Sequence, residues 1–186
     1  MGGHTLFITN DYPPRKGGIQ TFIYELVSRF PADQVTVLTS DFEGSQEFDQ
    51  RHPWKVIRRP VSYLTPTPAT KKLATQIIQQ HNVTNVIFGA AAPLGLLAPA
   101  MRKAGAERII CMTHGHEAGW AMTPGTRQAL RFIGRHSDYL TYLGDYTKGK
   151  IADALAPDDR SKLHRLTPGV DTQRFHPTAS HVSTLR

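Results

Sequence analysis

Two glycines and two basic residues stand together near the start of the chain, in the segment ITNDYPPRKGGIQTFIYEL. Gly17 and Gly18 directly precede a helical pattern, so the first backbone N–H groups of that helix and the positive end of its dipole would face outward. Such a corner can receive a phosphate, because glycine lets a ligand approach the main chain and Arg15 and Lys16 raise the local potential. Neither the G-x-G-x-x-G nor the G-x-x-x-x-G-K-[ST] pattern is present, so a tight turn with solvated charges remains the alternative.

A second candidate lies in the segment THGHE, at the end of the apolar run RIICMTH. His114 or His116 could hydrogen-bond a substrate hydroxyl or a phosphate, and Glu117 follows directly. These side chains are too few for a zinc site, and no further Cys/His cluster with metal spacing follows, so we expect no metal. The alternative is a strand-end histidine whose hydrogen bonds go to the backbone.

The elements around these candidates alternate between strand and helix. Apolar residues at helical spacing predict a first helix; they are Ile19, Phe22, Ile23, Leu26, Val27 and Phe30. Further strands are predicted at QVTVLTS, KVIRRPV, NVIFGAA, RIICMTH, DYLTYLG and KLHRLTPG, and further helices at ATKKLATQIIQQH, PLGLLAPAMRKAG, TPGTRQALRFIGRH and YTKGKIADALA. The polar segment DFEGSQEFDQRHP is predicted to be a loop.

This alternation predicts an α/β fold with a doubly wound, Rossmann-like parallel sheet. Ligands of such sheets bind beyond the carboxyl ends of the strands. That rule directs attention to three strand ends, at TNDYPPRKGGI, FGAAAP and MTHGHEAGW. Both candidates therefore belong to the predicted ligand crevice.

Composition limits the class of protein and of partner. The 186 residues, 39% of them hydrophobic, suffice for one domain, and the net charge of +7 favours an anionic partner such as a phosphate ester, nucleic acid or acidic lipid. Nucleic acid is disfavoured, because the charges are scattered and no nucleic-acid-binding motif is present. The single cysteine, Cys111, excludes an intrachain disulfide and suits a reducing cytosol. No apolar run is long enough to span a bilayer.

Four segments in order resemble a known family: NDYPPRKGGIQTFIYEL, VIFGAAAPLGLLAP, THGHEAGW and TPGVDTQRFHP. They resemble the N-terminal half of glycosyltransferase family 4 enzymes of the two-Rossmann-domain (GT-B) type. More narrowly, they are similar to the actinobacterial phosphatidylinositol-mannoside α-mannosyltransferases. The resemblance implies an acceptor-side domain over residues 1–177, a tail over 178–186, and a donor-binding domain that this chain lacks. We therefore expect the chain alone to be inactive or nearly so.

The resemblance also implies the reaction and its residues. Mannose would pass from GDP-mannose to a phosphatidylinositol (mono)mannoside with retention of configuration, without a metal or other cofactor. Gly17 and Gly18, with Arg15 and Lys16, would lie at the donor diphosphate. His114, or alternatively His116, would contact the transferred sugar. The passage to the second domain would be marked by Gly169, Val170 and Asp171.

On the acceptor side, the resemblance implies a lipid substrate and peripheral binding at the cytoplasmic, inner face of the plasma membrane. Lys71 and Lys72, with Arg58 and Arg59 nearby in sequence, could attract anionic headgroups, or could be ordinary solvated charges. Tyr12 and Trp120 could present flat surfaces to a sugar ring, or pack in the core. The remaining candidate acceptor-binding residues are Asp11, Gln20 and Glu117.

Two other functions stay open from the sequence. One is a family 4 transferase with a different nucleotide sugar or acceptor, because the donor-base contacts would lie mostly in the second domain. The other is a stand-alone module that binds anionic lipid without chemistry. A transferase would require a particular nucleotide sugar, whereas a lipid-binding module would require none, so dependence on a nucleotide sugar distinguishes the two.

Overall fold

The computed structural model describes residues 3–173 and residue 175. Its described part contains one parallel sheet of seven strands in the order β3-β2-β1-β4-β5-β6-β7. The strands are β1 His4–Ile8, β2 Val35–Ser40, β3 Lys55–Arg59, β4 Val83–Phe88, β5 Arg108–Met112, β6 Tyr139–Tyr142 and β7 Leu163–Arg165. The chain builds outward from β1 to β3 and then returns to place β4 on the other side of β1. This order confirms the doubly wound, Rossmann-like prediction.

Helices connect the strands and cover both faces of the sheet. The helices are α1 Gly18–Val27, α2 Ser45–Asp49, α3 Pro68–His81, α4 Ala98–Ala104, α5 Glu117–Met122, α6 Pro124–His136 and α7 Asp145–Ala154. Short 3₁₀ helices span Ala32–Gln34, Leu94–Leu97 and Pro157–Lys162. No helix in the described ranges is both long enough and apolar enough to cross a membrane.

The core has two layers because side chains alternate across a strand. In β1, Leu6 and Ile8 belong to a cluster with α3, α4, α6 and α7, whereas Phe7 faces α1. Every residue of β2 is buried, as expected for a strand covered on both faces. Cys111 is also a core residue, and burial raises the pKa of its thiol to about 12.

Local signals explain where several helices begin and end. Thr67 caps α3, since its hydroxyl accepts a hydrogen bond from the Thr70 N–H, and Pro68 occupies the first turn. Asn82 ends α3 in a left-handed conformation with φ 48°. Gly105 ends α4 with a φ of 122°, which favours glycine.

Four elements differ from the sequence predictions. The segment predicted as a loop contains α2. The segment is mostly polar, but its Phe48 packs against Tyr12 and Tyr24. The helix predicted from Pro93 divides into a 3₁₀ turn and α4, the short α5 was not predicted, and β7 has only three residues. The predicted tail, 178–186, lies outside the described residues, and the domain limits stay a prediction.

Candidate active site at the carboxyl end of the sheet

His114, at the end of β5, contacts a second predicted strand end and the first helix. Its Nε2 donates a hydrogen bond to the carbonyl oxygen of Gly89, after β4, at 2.5 Å. Its ring also meets the ring of Phe22, on α1, edge to face at 5.9 Å. The imidazole of His114 therefore lies between the end of β4 and the second turn of α1. Because Nε2 carries the hydrogen, Nδ1 of the neutral ring has the lone pair that can accept from a ligand.

Gly89 permits this close arrangement, and the sequence analysis did not single it out. A Cβ added at Gly89 would lie 2.5 Å from Oγ1 and 2.6 Å from Cβ of Thr9, which follows β1. No other residue type fits without a shift of the buried Thr9. The signal was a glycine at a predicted strand end, in FGAAAP.

The glycine corner is open at the N-terminus of α1. Gly17 and Gly18 are exposed, and no side chain of the described residues caps the helix. A Cβ added at Gly18 would meet no described atom within 4 Å, whereas one at Gly17 would meet the flexible end of Gln20. The first turn contains no acidic residue, so its N–H groups and the helix dipole leave a positive corner. This geometry is compatible with an anionic ligand.

Arg15 contacts groups away from that corner, and its role at a phosphate stays a prediction. Its Nη2 donates to the carbonyl oxygen of Ser62 at 3.0 Å, and its guanidinium lies over the ring of Phe42, 4.9 Å from the centroid. These contacts draw the side chain toward the loops after β2 and β3. Lys16 is exposed next to Gly17, and its role at a phosphate stays a prediction.

Asn10 is a structural residue of the site that the sequence analysis missed. It is 4% exposed, its Nδ2 donates to the Leu64 carbonyl at 2.9 Å, and its Oδ1 accepts from the Leu64 N–H at 2.5 Å. The amide side chain thus fastens the loop after β3 across the end of β1. The only sequence signal was a polar residue directly after a buried strand.

The two histidines of THGHE have different surroundings. His114 is half-buried, whereas the side chain of His116 is 45% exposed and its Nε2 lies 3.2 Å from Oε1 of Glu117. The other carboxylate oxygen of Glu117, Oε2, accepts a hydrogen bond from the backbone N–H of His114 at 3.0 Å. Glu117 is fully buried, so the prediction that it contacts the acceptor is wrong for this structure.

Comparison with known proteins identifies the family. The sequence profile named Glycosyltransferase Family 4 matches residues 16–174, which include the glycine corner, Gly89 and His114. The chain belongs to glycosyltransferase family 4. Its fold agrees with that assignment, and the resemblance seen in the four sequence segments is confirmed.

Curated relatives in the family are similar over nearly the whole chain. A GDP-mannose-dependent alpha-(1-6)-phosphatidylinositol monomannoside mannosyltransferase of Mycolicibacterium smegmatis is 42% identical over 185 residues, which cover 97% of this chain and 48% of that protein. A GDP-mannose-dependent monoacylated alpha-(1-6)-phosphatidylinositol monomannoside mannosyltransferase of Corynebacterium glutamicum is 41% identical over 175 residues, covering 93% and 45%. The chain thus spans about half the length of the curated relatives it matches.

Solved structures share the fold at much lower identity. HepE from Anabaena, crystallised with UDP and glucose, has a TM-score of 0.69 and 12% identity, over 92% of this chain and 46% of that one. A glycosyltransferase from Rickettsia africae has a TM-score of 0.61 and 12% identity, over 95% and 47%. At such identities the likeness shows the fold alone.

The residues predicted on the acceptor side of this family 4 domain divide into buried and accessible ones. Tyr12 is 1% exposed, and its hydroxyl accepts a hydrogen bond from Trp54 Nε1 at 2.8 Å, so it cannot present its ring to a sugar. Burial also raises the pKa of Tyr12 well above its ordinary value. Trp120 is half-buried and packs against the core. Gln20 and Asp11 are half-buried and joined by a hydrogen bond of 2.9 Å, close to Gly17, and their roles stay predictions.

The basic residues nearby also differ in availability. Lys71 and Lys72 are exposed near the start of α3. Arg58, by contrast, forms an ion pair with Asp49 at 2.7 Å with only 10% of its side chain exposed, and Arg59 donates to Thr70 Oγ1. The prediction that Arg58 attracts headgroups is therefore wrong, because its donors are already bound within the protein.

Two further predictions are not tested by the structure. The segment with Gly169, Val170 and Asp171 is exposed and outside regular structure, and its role as a passage between domains stays a prediction. Within the described ranges, no group of three or more His, Cys, Asp or Glu side chains is placed to hold a metal ion. The expectation of a reaction without metal also stays a prediction.

Proposed function

We propose that this chain is the acceptor-side half of a mannosyltransferase that transfers mannose from GDP-mannose to a phosphatidylinositol mannoside. The observation that carries the proposal is His114, held between the Gly89 carbonyl and α1. It is supported by the 41–42% identity to relatives whose names state this donor and this class of acceptor. The second half of the active site would come from a donor-binding domain across the cleft.

In this proposal the open N-terminus of α1 acts on the leaving group. Negative charge grows on GDP as the bond between sugar and phosphate breaks, and preorganised donors stabilise it. The exposed backbone at Gly17 and Gly18 supplies such donors, and Lys16 adds positive charge nearby. Nδ1 of His114 would accept a hydrogen bond from a hydroxyl of the transferred mannose. We further propose that transfer retains the anomeric configuration and needs no metal.

The acceptor would be reached at a membrane surface. Lys71 and Lys72 project from the same end of the sheet as the candidate site, because α3 begins where the loop after β3 ends. Each such cation contributes about 1 kcal/mol near an anionic leaflet. We propose peripheral binding at the inner face of the plasma membrane, with the nucleotide sugar and the anionic glycolipid as partners.

The proposal is tested by mannosyl transfer from radiolabelled GDP-mannose. The protein at its natural length is offered phosphatidylinositol and its monomannoside, with the 186-residue chain assayed alongside. Labelled lipid from the longer protein is the expected result, with little or none from the chain alone. Labelled UDP-glucose serves as the donor control. Lipid labelled from that donor and not from GDP-mannose would overturn the donor assignment and keep the chain in its family.

A further inference from the structure

Glu117 is an unusual residue for its position, because a carboxylate is completely buried beside an exposed loop. Its residue exposure is 0%, and the loop before it contains the half-buried His114 and the exposed His116. Burial of a charge is costly unless hydrogen bonds or a counter-charge compensate it. The partners of the two carboxylate oxygens therefore decide whether this burial is compensated.

The oxygens have unequal partners. Oε2 accepts the backbone N–H of His114 at 3.0 Å. Oε1 lies 3.2 Å from Nε2 of His116, but without the alignment of a hydrogen bond, and it is the one buried side-chain polar atom in the described ranges that has none. A core built only for stability would place an apolar residue of similar size here. The bond to His114 is thus the specific interaction that this burial supports.

The backbone between these residues turns to make that bond. Gly115 has a φ of 112°, a conformation that favours glycine, and it reverses the chain after His114. The turn brings the Glu117 side chain back beneath the His114 N–H. His114 is consequently held at two points, by Glu117 at its backbone and by the Gly89 carbonyl at its Nε2.

We infer that Glu117 is a positioning residue that acts through His114 and does not touch the substrate. Its carboxylate fixes the backbone of the THGHE turn, so that the His114 ring keeps its bond to Gly89 and directs Nδ1 toward the sugar. The inference rests on the proposed function for the step at which His114 acts. The link from the Glu117 carboxylate through the His114 backbone to the His114 ring lies within this chain and does not depend on the substrate.

Kinetics of the natural-length enzyme test the inference. Glu117→Ala removes both oxygens, and we expect kcat to fall between about tenfold and a hundredfold, because small displacements of a positioned group cost that much. The KM for GDP-mannose should stay within about twofold, since the proposed diphosphate contacts at Gly17 and Gly18 are not altered. Glu117→Gln keeps one acceptor for the His114 N–H, so its kcat should lie between those of the unsubstituted enzyme and Glu117→Ala. The matched control is Glu107→Gln, an exposed glutamate, for which we expect unchanged kinetics.

Nuclear magnetic resonance of the 186-residue chain gives a readout that does not depend on activity. Imidazole ¹⁵N shifts should show His114 as the Nε2–H form in the unsubstituted chain. In Glu117→Gln we expect those shifts to move toward the average of the Nε2–H and Nδ1–H tautomers. The same measurement on Glu107→Gln should match the unsubstituted chain.

The outcomes separate the two proposals. Unchanged His114 shifts together with unchanged kcat in Glu117→Gln and Glu117→Ala would overturn the positioning role. A loss of thermal stability with kcat unchanged well below the melting temperature would also overturn it, since that result indicates only a structural role. If the natural-length enzyme transfers no mannose at all, the proposed function fails, and the ¹⁵N shifts still decide whether Glu117 positions His114.

Discussion

At the scale of single residues, the chemistry of the site depends on which histidine faces it. The H-x-H pattern leaves this open, because both side chains would point to one side of a continued strand. The strand ends at Met112 and Gly115 turns the chain, so His114 and His116 diverge. His114 then bonds to Gly89, and His116 lies beside Glu117. A positive φ at one glycine thus assigns His114 to the crevice.

A substitution at Gly18 tests whether a ligand uses the glycine corner. An added Cβ would meet no described atom within 4 Å, so Gly18→Ala should change the free energy of unfolding by less than about 1 kcal/mol. A diphosphate that approaches the main chain would meet the methyl group. We therefore expect kcat/KM for GDP-mannose to fall about tenfold, equivalent to about 1.4 kcal/mol.

Gly149→Ala is the matched control for that variant, because Gly149 is exposed on α7 and an added Cβ there also has open space. Both variants are measured by thermal unfolding and by steady-state transfer in the natural-length enzyme. Equal kinetics in Gly18→Ala and Gly149→Ala would mean that the corner is a turn without a ligand.

At the scale of elements, periodicity predicted most of what positions the site. The spacing of apolar residues predicted α1 and the strands, and through them the sheet and the three strand ends. This was possible because the buried face of a helix or strand shows as a periodic pattern over a few neighbouring residues. The misplaced residues depend on long-range contacts instead. Tyr12 reads as a loop residue but pairs with Trp54, and Arg15 reads as part of the glycine corner but bonds to Ser62. Neither partner is near in sequence, so no local pattern could reveal it.

The loop after β3 is held by two hydrogen bonds between the buried Asn10 side chain and the Leu64 backbone. Asn10→Ala removes both hydrogen bonds to Leu64 from a buried position and should lower the free energy of unfolding by about 1–3 kcal/mol. Asn10→Asp keeps an acceptor for the Leu64 N–H but opposes its carbonyl with a second oxygen, so it should not restore stability. Hydrogen exchange of the Leu64 amide and urea unfolding measure both effects.

The matched control is Asn85→Ala, because Asn85 is half-buried and, among the described residues, its side chain bonds to Thr84 and Arg108 alone, at 3.2 Å each. We expect little change in either measurement there. Leu64 exchange that stays slow in Asn10→Ala would show that other contacts hold the loop, and the structural role of Asn10 would have to be abandoned.

Across the protein as a whole, the net charge of +7 does not show which cations are accessible at the site. Arg58 is paired with Asp49 at 2.7 Å, Arg102 with Asp138 at 2.5 Å and Lys162 with Asp159 at 2.8 Å. Composition therefore predicts an anionic partner, but only the fold shows which cations stay accessible. Near the candidate site these include Lys16, Lys71 and Lys72.

The opposite, amino end of the sheet contains a group of residues that ties four elements together. His4, at the start of β1, has its Nε2 2.9 Å from Thr36 Oγ1 on β2 and stacks on His81 of α3 at 5.4 Å. Lys55 of β3 lies 3.3 Å from the His81 ring. Burial lowers the pKa of His4 from 6.5, His81 and Lys55 lower it further, and Asp33 opposes the shift.

This shift predicts how the stability of the domain depends on pH. Because the pKa of His4 is lower in the folded state, the unfolded chain binds the proton more readily, and acid favours unfolding. The contribution of His4 is therefore fully present above its unfolded value of 6.5 and is lost as the pH falls below it. His4→Gln can still reach the Thr36 hydroxyl but does not titrate. Urea unfolding of the 186-residue chain at about pH 7.5 and about pH 5.5 should show a larger loss in the unsubstituted chain than in His4→Gln. An equal or smaller loss would mean that the amino end of the sheet accepts a proton on His4 without cost.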